Sequence, residues 1–91
     1  MLFQWDADKA RLNLRKHRVD FEDACTIFGD PFEITIVDPD HSRDEQRFLS
    51  VGRAHDGKLY TVSYTERGAH IRLISARLAN RKERLTYEED Q

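Results

Sequence analysis

Apolar residues recur at two different spacings along the chain, and the change near residue 32 separates a helical part from a sheet part. Ala7, Ala10 and Leu14 lie at helical spacing behind Asp6, whose side-chain oxygen suits the first orphan N–H groups. This helix is expected to end near His17, where Lys16 and His17 meet the negative end of the helix dipole. A second helix is expected from an Asp20 cap, with Phe21, Ala24, Cys25 and Phe28 as its buried stripe. Gly29 is its expected left-handed exit before Asp30-Pro31. Ahead of both, Leu2–Trp5 alternates and predicts a short edge strand.

From Phe32 the period is two. Phe32, Ile34 and Ile36 alternate with Glu33, Thr35 and Val37, as in a half-buried strand. Asp38-Pro39-Asp40-His41-Ser42 has the composition of a turn or loop. Strands follow at Arg47–Arg53, Leu59–Glu66 and His70–Leu78, joined at Asp56-Gly57 and Arg67-Gly68 as an antiparallel meander. Asn80 with Glu83 three residues later forms a capping-box variant that opens a last helix reaching about Glu88. The predicted order is β-α-α-β-β-β-β-α: an α+β domain with two N-terminal helices, a C-terminal helix and an antiparallel β-sheet, its helices on one face.

Composition limits the size and setting of this fold. The 91 residues suit one domain, 1–91, with a limited core whose marginal stability a bound partner would raise. Apolar runs such as Phe48–Val51 are far shorter than the ~20 residues that cross a bilayer, so no membrane association is expected. Asp6 and Asp8 interrupt the chain directly after Trp5, which predicts no secretory leader. The single Cys25 allows no internal disulfide framework, matches a reducing cytoplasm and reads as a small core residue with acidic neighbours.

The net charge of -2 taken alone argues against a nucleic-acid ligand. Its distribution changes that picture. Residues 20–45 carry nine acidic side chains against Arg43 alone, whereas residues 67–85 carry six basic side chains against Glu83 alone. Such asymmetry creates local potentials on a near-neutral protein.

His17, His41, His55, His70 and Cys25 show no CxxC or HxxxH spacing, so no metal site and no cofactor is expected. His41 with Asp38, Asp40 and Asp44 forms a solvated acidic loop or, at most, a weak ion site. Asp38–Arg47 reads either as a solvated turn or as a docking segment for a basic partner. No GxSxG, GxGxxG or Walker pattern occurs. On the last two strands Tyr60, Val62, Tyr64 and Glu66 share a face. Arg72 and Arg77, five positions apart, are expected on opposite faces. Arginine forks with interleaved tyrosines suit RNA phosphates and unpaired bases; the same pattern also describes a sheet surface laced with cross-strand ion pairs. Lys16-His17 reads first as a capping cation at the helix end and, alternatively, as a proton-exchanging pair.

Specific blocks carry a resemblance. Phe3-x-Trp5-Asp6-x-x-Lys9-Ala10-x-x-Asn13-x-x-Lys16-His17, Val19-x-Phe21-Glu22-x-Ala24 and Phe28-x-Asp30-Pro31 open the chain. Asp38, His41, Glu45-Gln46-Arg47 and Gly52 follow, then Tyr64-Thr65-Glu66-Arg67. Arg72-x-Ile74-Ser75-Ala76-Arg77-x-Ala79-x-x-x-Glu83-Arg84-x-x-Tyr87-Glu88 closes the series. Together they resemble the BrnT toxin family across essentially the whole chain, with one departure at Arg18, where the family usually has glycine. The resemblance implies a RelE-like fold and a ribonuclease toxin of a type II toxin–antitoxin system. It also implies neutralisation by a BrnA-like ribbon-helix-helix antitoxin in a 2:2 heterotetramer that reaches operator DNA only through the antitoxin.

RNA cleavage without metal needs a proton taken from the 2′-hydroxyl, stabilised phosphate charge and a protonated leaving 5′-oxygen. On this reading Arg67 and Arg77 hold the phosphate, Glu66 or His17 is the general base, and Lys16 or His17 the acid. Arg53, Arg72, Tyr64, Arg81 and Arg84 complete the expected RNA contacts. RelE-like folds also serve as non-catalytic inhibitors of protein targets such as topoisomerases, and a plain RNA-binding module is a further alternative.

Overall fold

The computed structural model describes residues 1–38 and 45–89. The elements are β1 (Leu2–Gln4), α1 (Ala7–His17), α2 (Phe21–Ala24), a 3₁₀ turn (Cys25–Gly29), β2 (Ile34–Val37), β3 (Arg47–Arg53), β4 (Leu59–Arg67), β5 (His70–Leu78) and α3 (Arg81–Glu89). The five strands form one sheet in the order β1-β5-β4-β3-β2, antiparallel except that β1 runs parallel to β5. Expectations placed on Asp40, His41 and Asp44 lie outside the described residues. No described helix is long and apolar enough to cross a membrane.

Caps set the helix ends much as expected. Asp6 Oδ1 accepts from the Asp8 N–H at 2.7 Å, and Asp20 Oδ1 accepts from the Glu22 N–H at 3.0 Å. α1 stops at Arg18, which adopts φ 60 and donates its N–H to the Leu14 carbonyl at 2.9 Å. A left-handed residue suits glycine, which explains physically why a relative would carry one there. The second helix is shorter than its apolar stripe predicts. It tightens into the 3₁₀ turn at Cys25, and Gly29 is not in the left-handed region occupied by Gly57 and Gly68.

α2, the 3₁₀ turn and the loop before them cover one face of the sheet through Val19, Phe21, Ala24 and Ile27, with Ala10 of α1 beside them, packed on Tyr60, Val62, Tyr64, Leu73 and Ala76. Phe3, Phe28, Tyr64 and Phe48 run in sequence as touching rings with centroids 5.0–5.6 Å apart. Gly52 is needed beneath the 3₁₀ turn, because a Cβ there would sit 3.0 Å from Ile27 Cβ. The last helix corrects the one-face expectation. Its Tyr87 packs with Val51, Leu59 and Ala79, residues one step out of phase with the first core and so on the opposite face. The apolar side of the β2 alternation is also less buried than predicted: Phe32, just before β2, is 53% exposed and Ile36 58%.

Candidate functional site

The outer part of β5 carries most of the candidate chemistry, and a single local irregularity decides its layout. β4 and β5 pair in register from Tyr60↔Leu78 to Ser63↔Ser75, then shift so that Tyr64 faces Leu73 and Thr65 faces Arg72. Ile74 is the extra residue of this bulge. It reverses the side-chain alternation, and Arg72 joins Arg77 on the face opposite α1 and α2 rather than lying across the sheet from it. On this face the rows read Val51–Thr61–Arg77, Leu49–Ser63–Ser75, Arg47–Thr65–Arg72–Gln4 and Arg67–His70.

α1 lies against the free edge of β5 beyond the short β1. Asn13, 5% exposed, fixes it there: its amide donates to the Ala76 carbonyl at 2.9 Å and accepts from the Ala76 N–H at 3.0 Å. The same amide donates to the Val19 carbonyl at 3.0 Å, so one side chain stands in for a missing strand neighbour and ties the end of α1 to it. The result is a cavity of about 310 Å³ bounded by Lys9, Leu12, Asn13, Lys16 and His17 of α1 and by Ile74 and Ser75 of β5. The lining of this cavity thus reaches Ser75, one row along the sheet, roughly 7 Å, from Arg72.

The arginines differ in how they are satisfied. Arg77 is held on both edges by Glu83, at 2.8 and 2.9 Å. Glu83 also accepts from Thr61 Oγ1 at 2.8 Å and from the Asn80 N–H at 2.9 Å, while its own N–H donates to Asn80 Oδ1 at 2.8 Å. Partial burial pushes this carboxyl upward, but hydrogen bonds from Arg77, the Asn80 N–H and Thr61 outweigh it and hold Glu83 below its ordinary range. Arg77 is therefore a joint between β5 and α3. Arg67 is gripped in the same bidentate manner by Glu45, at 2.9 and 3.0 Å. Arg72 has no such carboxylate partner among the described residues; it donates to the neutral Gln4 Oε1 at 2.9 Å.

Three nominated residues lie apart from this cluster. Glu66 has the parity of Tyr64 and Val62, so it points to the opposite face from Arg67 and Arg72. Tyr64 is 4% exposed, wedged against Phe28 and Phe48 with its hydroxyl 2.9 Å from Ser50 Oγ, and offers no ring to a base. Arg53 pairs with Leu59 at the far end of β4, eight positions or roughly 26 Å from Arg67. There it donates to the Gly57 carbonyl at 2.8 Å and lies 5.7 Å from the Tyr87 ring. Arg67 and Arg77 are themselves about six positions apart, roughly 20 Å, and each is engaged by a different carboxylate. Arg81 and Arg84 are exposed on α3, beside the Arg77 joint.

Two residues gain importance that spacing did not assign to them. Asn13 was visible only as a motif position. His70 stands directly across from Arg67, two positions before Arg72 and on the same face, a relation its placement just after the Gly68 turn already allowed. Cys25 is half-buried, with its thiol directed at the Glu22 carbonyl at 3.3 Å and its pKa raised chiefly by burial, consistent with a core role. Among the described residues no three His, Cys, Asp or Glu side chains converge as a metal site.

A comparison with curated protein sequences finds no match. The fold is similar to the crystal structure of the Brucella abortus ribonuclease toxin BrnT, with a TM-score of 0.63, over 89% of this chain and 100% of that one at 22% identity. Residues 5–83 match the model of the BrnT family, described as the ribonuclease toxin of type II toxin–antitoxin systems. That span includes Asn13, Lys16, His17, the bulged hairpin and the Arg77–Glu83 joint, so the chain belongs to the BrnT family of ribonuclease toxins.

Proposed function

We propose that this toxin is an endoribonuclease that cleaves without a metal ion, using side chains gathered along β5. The observation that carries the reading is the bulge at Ile74. It leaves Arg67, His70 and Arg72 on one face while the α1 cavity sets Lys16 and His17 beside Ser75. His17 takes the proton from a ribose 2′-hydroxyl, whose oxygen then attacks the adjacent phosphorus. The P–O5′ bond breaks, and Lys16 protonates the departing 5′-oxygen, leaving a 2′,3′-cyclic phosphate and a 5′-hydroxyl. Arg72 and Arg67 stabilise the charge that builds on the phosphate. Orientation of the strand and fixed charge supply much of the rate.

The toxin of a type II toxin–antitoxin system has an antitoxin as its partner. We infer that this partner is a BrnA-like ribbon-helix-helix protein, that the complex is a cytoplasmic 2:2 heterotetramer, and that operator DNA is reached only through the antitoxin. Light scattering on the co-purified pair reads the stoichiometry directly. For the activity, RNA is incubated with the purified protein in excess EDTA, and cleavage to 2′,3′-cyclic ends is expected. Intact RNA of shifted mobility would instead identify a plain RNA-binding module. Untouched RNA with blocked DNA supercoiling would identify an inhibitor of a topoisomerase.

A further inference from the structure

Thr65, 3% exposed, carries the one buried side-chain polar atom without a hydrogen-bond partner among the described residues, its Oγ1. Thr61, on the same strand and face, donates to Glu83 at 2.8 Å. A buried hydroxyl is normally paired, and one left orphaned marks a place where something else supplies the partner. Its surroundings define what that is. Arg47 and Arg72 face Thr65 from the two neighbouring strands, and Arg67 follows two positions along on the same face. The Glu45 carboxylate already sits here. It is bonded by both edges of the Arg67 fork, and Arg67 first, then Arg72 and Arg47, hold its pKa below the ordinary glutamate range.

A carboxylate held by an arginine fork stands in for a phosphodiester, whose two non-bridging oxygens can fill the guanidinium fork while one of them also accepts from the Thr65 hydroxyl. We propose that Thr65, Arg67 and Arg72 form a subsite for one backbone phosphate of the RNA, and that Glu45 occupies its charge until that phosphate displaces it. The inference rests on the ribonuclease reading for the identity of the ligand. It adds a binding residue, Thr65, and an internal competitor, Glu45. Displacement releases the Arg67 fork to the phosphate and turns the Thr65 hydroxyl from an orphan into a donor. Glu45 therefore lowers the affinity of the free toxin for short oligonucleotides and disfavours other anions that cannot match the fork and the hydroxyl together.

The test separates binding from cleavage by using a 2′-O-methyl RNA oligonucleotide, which keeps its phosphates and lacks the nucleophile. Thr65→Val keeps the shape of the side chain and removes only the hydroxyl. The variant is expected to melt no lower than the parent, because no protein partner is lost, yet to bind the oligonucleotide roughly tenfold more weakly. Glu45→Gln is expected to bind it several-fold more tightly. Unchanged binding by Thr65→Val overturns the subsite, and unchanged or weaker binding by Glu45→Gln overturns the displacement. A parent protein that binds the oligonucleotide in this Thr65-dependent way but fails to cut unmodified RNA leaves the subsite standing and removes the ribonuclease reading. A parent protein that binds no oligonucleotide overturns the subsite.

Discussion

The two ends of the sheet use the same residue types to opposite purposes. At the α3 end, charge and hydrogen-bonding capacity are matched: Arg77 meets Glu83 on both edges, Thr61 and Asn80 fill the rest of that carboxylate, and Asp30 accepts from Tyr87 Oη at 2.6 Å. At the β1 end the capacity is left over. Arg72 rests on a neutral amide, Thr65 has no partner among the described residues, and His70 lies beside an arginine that shares one carboxylate with its neighbours. The closed network holds a helix on a sheet; the open one is where the proposed phosphate subsite lies. Residue type alone does not separate the two, since both ends carry arginine, glutamate and threonine on adjacent strands.

Substitutions can break this contrast, beginning with the largest effects. His17→Ala should lower the rate of RNA cleavage by roughly a hundredfold to ten-thousandfold, as expected for loss of a general base, while the denaturation midpoint stays put. A folded His17→Ala enzyme with parental turnover would transfer the proton chemistry elsewhere, with His70 the first place to look. Asn13→Ala works on the other side of the comparison. It strips partners from the buried backbone of Ala76 and from the Val19 carbonyl, and should cost about 3 kcal/mol in urea unfolding. A loss below about 1 kcal/mol would show that water replaces the amide at little expense.

Glu83→Gln should cost about 2 kcal/mol near neutral pH, because it removes a charged cap and the partner of a half-buried guanidinium together. The pH dependence has a definite sign. The folded carboxyl titrates below its unfolded value, so its contribution is complete above the ordinary glutamate range of about 4.3 and fades as pH falls through the lowered folded value. The variant should therefore show a flatter acid limb in a plot of stability against pH. A limb as steep as the parent's would assign the acid sensitivity to other carboxylates, Asp30 among them, whose pKa burial raises but hydrogen bonds from Tyr87 and the Arg53 and Phe32 N–H groups lower further.

Much of this layout was legible in the sequence. The change of period at Phe32, the aspartate caps and the Asn80–Glu83 box placed nearly every element, because each rests on contacts within a few residues. The bulge was not legible. Ile74 is a good strand residue in a good strand pattern, and its extra position becomes evident only when β5 is laid against β4. That one residue moves Arg72 onto the face shared by Arg67 and Arg77, which the five-residue spacing of Arg72 and Arg77 did not reveal. Tyr64 failed for a related reason. A tyrosine suits a base-stacking surface and a core equally well, and only packing by Phe28 and Phe48 decides between them. Glu83 was read correctly as a cap, but its grip on Arg77 depends on α3 crossing to the second face, which local pattern does not encode.

Cleavage of a defined RNA in EDTA by Arg72→Ala and Arg77→Ala, each measured alongside its urea unfolding curve, tests the division most directly. Arg72→Ala is expected to keep the parental midpoint and lose about a hundredfold in kcat/KM. Arg77→Ala is expected to lose about 2 kcal/mol of stability. Under conditions where it is fully folded, its kcat/KM should stay within roughly threefold of the parent, an effect below 1 kcal/mol. An Arg77→Ala protein that is folded but inactive, with an Arg72→Ala protein that cleaves normally, would contradict the account and put the catalytic charge at the α3 end.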